Sequence, residues 1–186
     1  MKYGIAVFFA LIMVSSTMGF IMMQTAGDNV IKYGKFKFTR EDTGLYTAKI
    51  NGRQYSFESF PSQVNSTFVS PAFIQLLRST KMAYFTSSNS SPVMDQIGQS
   101  QYELGKLMQD SFGSVLQPAY TQGNAFSLPI ITCSNATEFV PVIFAEYSND
   151  SSVTEQGRCL VIHALSGQDL ILAKDRIAFG LLGVIQ

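Results

Sequence analysis

A long apolar segment opens this chain and constrains what the rest of it can do. Residues 3–23, "YGIAVFFALIMVSSTMGFIMM", contain no charged side chain. A helix rises about 1.5 Å per residue and the hydrocarbon core of a bilayer is about 30 Å thick, so roughly 20 apolar residues span it. We therefore predict a transmembrane helix over residues 4–24, preceded by a cytoplasmic N-terminus at residues 1–3.

A cleaved signal peptide is the alternative for this segment. Its apolar region would be about 7 to 15 residues long and would end in small residues. Val14, Ser15 and Ser16 resemble such a site, but the apolar run continues past it through residues 18–23. We therefore favour retention as a signal anchor that contacts the lipid bilayer through residues 4–23.

The positive-inside rule gives conflicting signals for orientation. Lys2 and the amino terminus favour a cytoplasmic start, whereas the basic cluster from Lys32 to Arg40 favours the opposite. We predict the N-terminus inside and the remaining chain outside the cell membrane, because of the asparagine and cysteine patterns described next. The basic cluster is interpreted as the solvated face of a strand, with a lipid-headgroup contact as the alternative.

Asparagine contexts support an external domain. Four of the seven asparagines begin an Asn-x-Ser/Thr glycosylation acceptor. Pro92 closely follows the acceptor at Asn89, so the predicted glycosylation sites are Asn65, Asn135 and Asn149. The alternative is that Asn, Ser and Thr simply cluster in turns.

Cysteine usage supports the same placement. Cys133 and Cys159 are the only cysteines, and a bond between them requires an oxidising compartment. Two reduced, buried cysteines are the alternative. A structural zinc site needs four close ligands, which these cysteines and the single histidine cannot supply. We predict a Cys133–Cys159 disulfide with Cα atoms within about 7 Å, and neither metal nor cofactor.

Composition indicates one packed α+β domain over residues 33–186, joined to the membrane helix by a linker at residues 25–32. The hydrophobic content of 46% suffices for a core, and the charged fraction of 14% argues against disorder. Lys plus Arg equals Asp plus Glu, at 13 each, so no overall field attracts nucleic acid, and we expect no nucleic-acid partner.

The first part of the domain has the pattern of a β-meander. Residues 33–39, "YGKFKFT", alternate in the way of a half-buried strand. Two further β-type runs flank Asn51-Gly52, a pair that provides the positive backbone dihedrals of a two-residue hairpin turn. The sequence therefore predicts a three-stranded meander over about residues 33–58.

Two helices around a strand are predicted next. Ser70-Pro71 and Ser91-Pro92 each place a side-chain oxygen at a helix cap and a proline at the first helical position. They predict helices over residues 71–79 and 93–112, with "KMAYFTSS" as the strand between them. Gly113 ends the longer helix, and residues 118–124 are interpreted as a polar loop.

The C-terminal part is predicted to be strands followed by a terminal helix. Apolar, β-branched runs predict strands near residues 128–133, 139–147 and 158–164, buried on both faces. Ser166 and Asp169 have the spacing of a capping box. After them a stripe of apolar residues repeats at helical spacing: Leu170, Ala173, Ile177, Ala178, Leu181 and Leu182.

Catalytic motifs are weak in this sequence. His163 is the sole histidine, and it falls in the middle of a predicted strand, in step with Cys159 and Val161. No Gly-x-Ser-x-Gly elbow and no phosphate-binding glycine loop is present. The charge pairs Glu41-Asp42 and Asp175-Arg176 are interpreted as solvated turn and helix positions.

Two hypotheses about function follow. In the first, the protein is a single-pass, membrane-anchored, non-catalytic component of the cell envelope that binds or assembles with an envelope protein or glycan. In the second, it is a membrane-tethered hydrolase that uses His163. An accessible His163 beside a hydroxyl and a carboxylate would favour the second hypothesis, and a ring buried among apolar neighbours would remove it.

Overall fold

The computed structural model describes residues 29–123 and 127–185. They form a small α+β domain with a β-meander, a second, mixed sheet and three α-helices. The predicted membrane segment at residues 4–23 lies outside the described residues. Among those residues, no helix combines the length and the apolarity that crossing a bilayer requires.

The meander has four antiparallel strands in chain order: β1 (Val30–Tyr33), β2 (Phe36–Arg40), β3 (Tyr46–Ile50) and β4 (Arg53–Phe57). The prediction of three strands was wrong, because the first predicted strand corresponds to parts of two. Gly34 has a φ of 55°, so "YGKFKFT" contains a hairpin turn and is not one strand. The predicted linker at residues 25–32 contributes most of β1, which pairs with β2.

The predicted Asn51-Gly52 hairpin is confirmed. Asn51 and Gly52 have φ values of 51° and 82°, and Ile50 pairs directly with Arg53 across the turn. Two adjacent positive φ angles define the turn type whose twist matches that of the flanking strands. The register of β4 against β3 is therefore set by two residues.

The second sheet has the order β6-β5-β7-β9-β8. Its strands are β5 (Met82–Ser87), β6 (Val115–Tyr120), β7 (Val142–Tyr147), β8 (Ser152–Gln156) and β9 (Cys159–Ala164). β8 is antiparallel to β9, and the other neighbours are parallel. All but one residue of β9 is buried, as the predicted coverage of both faces requires.

Two predictions in this part of the chain were wrong. Residues 128–133 do not form a strand: Ile130 makes one isolated bridge to Tyr120, and Cys133–Asn135 is a 3-10 turn. The predicted loop at residues 118–124 begins inside β6, where Pro118 is tolerated because β6 is an edge strand. The polar stretch after β7 contains the edge strand β8, for which no prediction was made from the sequence.

The helices are α1 (Pro71–Ser79), α2 (Met94–Phe112) and α3 (Gly167–Leu182). The Ser70 cap of α1 is confirmed, because the Phe73 N–H donates to Ser70 Oγ at 3.1 Å. The Ser91 cap was wrong: α2 begins two residues later, and Ser91 Oγ instead accepts from the Val93 N–H at 3.4 Å. The Ser166 N–H donates to Asp169 Oδ2 at 2.8 Å, as the capping box predicted.

Helix α3 lies at the centre of the domain. On one side Phe179 packs against Phe57 of the meander, with ring centroids 4.4 Å apart. On the other side α3 contacts β9, and Leu160 and Ile162 belong to the same core. Both faces of α3 are therefore covered, which explains why its charged residues are buried as well as its apolar stripe.

Candidate functional site

A cleft of about 280 Å³ lies between strand β4 and helix α2, with α3 below it. All five residues of β4 line one wall. Tyr102, Lys106 and Asp110 of α2 lie on the opposite wall, and Lys174 and Ala178 of α3 contribute to the floor. We call this region the β4–α2 cleft. It brings together parts of the chain that are far apart in sequence.

A buried ion cluster joins the two walls to the floor. Lys174 Nζ donates to Glu103 Oε2 at 2.6 Å and to Glu58 Oε1 at 3.0 Å, and it lies 3.0 Å from Asp175 Oδ1. The Ser59 N–H donates to the other oxygen of Asp175 at 2.7 Å. The cluster therefore connects the end of β4 with both helices.

The solvated position predicted for Asp175-Arg176 was wrong. Asp175 is 1% exposed and Arg176 5% exposed, and Arg176 Nη2 donates to the carbonyl oxygen of Val69. The reason is that the segment between β4 and α1, which contains Ser59 and Val69, packs on the face of α3 that the sequence pattern left for solvent. Glu41 and Asp42 are exposed, as predicted.

The carboxylates around Lys174 keep its ammonium group protonated, so this residue acts as a structural cation. Burial opposes its charge, but the carboxylates of Asp175 and Glu103 outweigh that effect and raise the pKa of Lys174 above its ordinary value. Burial also disfavours the charged form of Asp175 and therefore raises its pKa, although the nearby Lys174 acts to lower it. A nucleophilic lysine must lose its proton, so this arrangement does not suit amine catalysis.

His163 stands in a polar row that crosses three strands. Its Nδ1 lies 2.8 Å from Glu146 Oε1, and its side chain is 25% exposed. Glu146 on β7 and Ser152 on β8 are its direct cross-strand neighbours. The ring is therefore not buried among apolar neighbours, although its predicted place within a strand, in step with Cys159 and Val161, is confirmed.

The row lacks one contact that a serine nucleophile needs, a hydrogen bond between a hydroxyl group and the His163 ring. Ser152 Oγ donates to Asp150 Oδ2 at 3.3 Å, and no hydroxyl of the described residues forms a hydrogen bond with the His163 ring. A cavity of about 370 Å³ adjoins the ring and is bordered by Thr67, Phe68 and Asp169. His163 thus has a carboxylate partner and neighbouring space, but no bonded hydroxyl.

The predicted disulfide is present. Cys133 and Cys159 are bonded, with Cα atoms 5.2 Å apart, and the bond attaches a 3-10 turn to the first residue of β9. Cys133, Ile131 and Ala136 cover the sheet face formed by Val142 and Val161. The disulfide thereby holds an otherwise irregular segment over one face of the second sheet.

The predicted modification sites lie on the surface. Asn65, Asn135 and Asn149 are exposed. Asn135 Oδ1 accepts a hydrogen bond from the Thr132 N–H at 2.8 Å, a contact that does not involve the amide nitrogen to which a glycan attaches. Glycosylation stays a prediction. Within the described ranges, no three His, Cys, Asp or Glu side chains are grouped to hold a metal ion.

Sequence reasoning missed the β4–α2 cleft. One signal was available: Lys174, Asp175 and Arg176 interrupt an apolar stretch with hydrophobic residues on every helical face, which is typical of a buried helix. No local pattern marked Tyr102 or Lys106, because their role depends on which strand faces α2. No protein-family model, no curated protein and no solved structure matches this chain, so the site geometry carries the functional inference.

Proposed function

We propose that this protein is a single-pass, membrane-anchored, extracytoplasmic component of the cell envelope that binds another envelope protein or a glycan without catalysing a reaction. The β4–α2 cleft carries the proposal. The charged groups at its floor are bonded to one another, so its walls, a strand and a helix, are what a ligand meets. Tyr102 on the helix wall is 70% exposed, and tyrosine is enriched where proteins bind partners.

The size of the cleft also supports a binding surface. Small-molecule sites usually enclose about 300 to 1,000 Å³. The β4–α2 cleft, at about 280 Å³, lies just below that range and extends along a strand and a helix. This shape suits contact with part of a larger ligand better than enclosure of a small substrate.

Placement outside the membrane is part of the proposal and has separate support. The apolar run at residues 3–23 has spanning length. The Cys133–Cys159 disulfide fits an oxidising compartment, and three glycosylation acceptors are exposed. An external domain explains all three features together.

The binding role is tested by site-specific cross-linking in intact cells. A photoreactive amino acid in place of Tyr102 should give a discrete adduct with a protein or glycan, because this side chain borders the cleft and is exposed. The matched control is Phe139, which is 82% exposed and belongs to the segment before β7. Absence of any adduct from position 102, or the same adducts from both positions, would contradict a binding role for the cleft.

Membrane anchoring predicts the outcome of carbonate extraction. Full-length protein should stay in the membrane pellet, because a span of about 20 apolar residues resists extraction at high pH. The control is a variant without residues 4–23, which should appear in the soluble fraction. Recovery of the full-length protein in the soluble fraction would refute the anchor.

A hydrolase that uses His163 is the second candidate. The observation in its favour is the carboxylate–imidazole contact between Glu146 and His163, with Ser152 beside it. In a Ser-His-acid site the carboxylate orients the imidazole, and the imidazole accepts a proton from the serine. Here the Ser152 hydroxyl donates to Asp150 instead, so the proton path is incomplete.

His163 is expected to be dispensable. His163→Ala should leave cross-linking from position 102 unchanged, and the full-length wild type should not react with a fluorophosphonate, which labels activated serines. Substitution of Ser152 by Ala provides the matched control. Stoichiometric labelling that either substitution abolishes, at an unchanged melting temperature, would establish the hydrolase in place of the binding protein.

A further inference from the structure

We infer that the outer face of the meander binds the anionic lipid headgroups of the membrane in which the chain is anchored. The inference rests on the proposed membrane anchor and does not depend on which side of the membrane the domain occupies. The sequence alone favoured a solvated face for the lysines of this region. The sheet register and the short connection to the anchor support the lipid contact instead.

The register places three lysines on one side of the meander. Lys32 of β1 and Lys37 of β2 are direct partners, and direct partners point to the same face of a sheet. Lys37 precedes Phe38 and Lys49 follows Ala48, and the paired residues Phe38 and Ala48 are buried in the core. Successive side chains alternate, so Lys37 and Lys49 emerge together on the opposite, outer side. We call this surface, on which all three lysines are exposed, the basic face.

The basic face contains no carboxylate. By the same alternation its other members are uncharged: Val30, Thr39, Thr47, Gln54 and Ser56. None of the three lysines forms an ion pair with a described residue. The basic face therefore carries three positive charges that its own residues leave uncompensated.

Acidic residues at the ends of the strands are too far away to compensate these charges. Glu41 lies in the turn after β2, four residues beyond Lys37, and Glu58 lies four residues beyond Gln54, the partner of Lys49. At about 3.3 Å per residue, each carboxylate is about 13 Å along the strand from the lysine. The screening length at physiological ionic strength is about 8 Å. Glu58 is in addition bound to Lys174.

The lysine arrangement is unfavourable for the domain by itself. Like charges that lie directly opposite each other in an antiparallel pair destabilise it, and Lys32 and Lys37 form such a pair. Lys49 adds a third like charge beside Lys37. A negative surface would offset this repulsion, so the basic face suits an external anionic partner better than free solvent.

The connection to the anchor keeps the basic face near the bilayer. The apolar run ends at Met23 and β1 begins at Val30, so the connection reaches at most about 25 Å when fully extended. A domain of this size is about 40 Å across. The meander therefore stays on the membrane side of the domain. The connection contains one acidic residue, Asp28, which leaves the region an excess of positive charge.

Lipid headgroups match this surface better than one small anion. The three lysines belong to adjacent strands about 4.8 Å apart, so they spread over about 10 Å of a sheet face. An array of phosphates contacts all of them at once, whereas a single phosphate ion meets one or two. Val30, which is 40% exposed on the same face, adds an apolar contact at the headgroup boundary.

The test uses full-length protein in nanodiscs, with a donor dye on Ser56→Cys at the rim of the basic face and acceptor dyes on lipid headgroups. Labelling without reductant preserves the Cys133–Cys159 bond. Time-resolved energy transfer separates domains that lie on the bilayer from those that do not. Discs with about 30% phosphatidylglycerol should raise the ratio of bound to unbound domains at least about tenfold over pure phosphatidylcholine, because each lysine near an anionic surface contributes about fivefold.

Two double variants with the same change in charge provide the control. Lys32→Gln/Lys37→Gln should lower the ratio in phosphatidylglycerol discs about 25-fold. Lys81→Gln/Lys106→Gln removes two exposed lysines outside the meander and should lower it less than about threefold. The first variant should keep or raise the melting temperature, since it relieves a like-charge pair, so loss of lipid contact is distinguished from unfolding.

Equal ratios in the two kinds of disc, or equal effects of the two double variants, would overturn the lipid contact. Binding of a sulfated glycan that Lys32→Gln/Lys37→Gln abolishes, without contact to the bilayer, would assign the basic face to a glycan and also reject lipid. Failure of the full-length protein to enter nanodiscs would remove the anchor and this inference together. Entry into nanodiscs without lipid contact would remove the inference and leave the anchor in place.

Discussion

Lys174→Met is expected to lower the free energy of unfolding by about 3 to 5 kcal/mol, because it removes one partner of a buried ion cluster. Lys174 is 3% exposed and holds Glu58, Glu103 and Asp175 around one ammonium group. Methionine has a similar length but no charge. The substitution would leave Asp175, which is 1% exposed, without its cation.

Urea unfolding of the full-length protein in detergent, followed by circular dichroism, measures this effect. Neutral pH is suitable because the folded-state pKa of Lys174 lies above the ordinary lysine value of 10.5. Its stabilisation is complete below that pH and is lost only as pH rises through the folded-state pKa. Lys81→Met, at an exposed lysine, should change stability by less than about 0.5 kcal/mol. A similar small change for Lys174→Met would contradict the structural role of the cluster.

Reduction of the Cys133–Cys159 disulfide is expected to lower the free energy of unfolding by about 3.5 kcal/mol in the chain-entropy model. The two cysteines are 26 positions apart, so the bond closes a loop of moderate length in the unfolded chain. Loss of the bond also frees the segment that covers Val142 and Val161. We therefore expect reduction to expose apolar surface on the second sheet as well as to lower stability.

The comparison of oxidised and reduced wild type is controlled by the double variant Cys133→Ala/Cys159→Ala. That variant should have the stability of the reduced wild type and should not respond to reductant. Intact-mass measurement of unreduced, alkylated protein from native membranes should show no added label. Two labels on folded protein would mean that the bond is not formed in the cell, and would remove a main support for an external domain.

The sequence was a reliable guide where a few neighbouring residues decide the backbone. Asn51 and Gly52 accept the positive φ angles of their turn, Ser70 caps α1, and Asp169 caps α3. Each of these structures depends on contacts within about four residues, so its chemistry is visible in a short window. The same reasoning was wrong at Ser91. Its side-chain oxygen accepts from the Val93 N–H, and the helix begins only after Val93.

Strand assignments were less reliable because pairing partners are remote. Residues 128–133 have the composition of a strand, but they form one isolated bridge, between Ile130 and Tyr120, and the segment covers one face of the second sheet. The polar residues Ser152–Gln156 form a strand because β9 offers them an edge. Composition shows which backbone conformations a segment tolerates, and its tertiary neighbours decide which of them it adopts.

By itself, then, the sequence determined the spanning-length apolar run, the single pair of cysteines, the local turns and caps, and the apolar stripe of α3. Only the tertiary structure decided the candidate site. Glu58 and Lys174 are 116 residues apart and meet because the meander folds over a helix whose outer face the sequence pattern assigned to solvent. Local stereochemistry acts through bonds and neighbouring residues, whereas burial, ion pairing and the grouping of lysines on one sheet face depend on which distant segments pair or pack together.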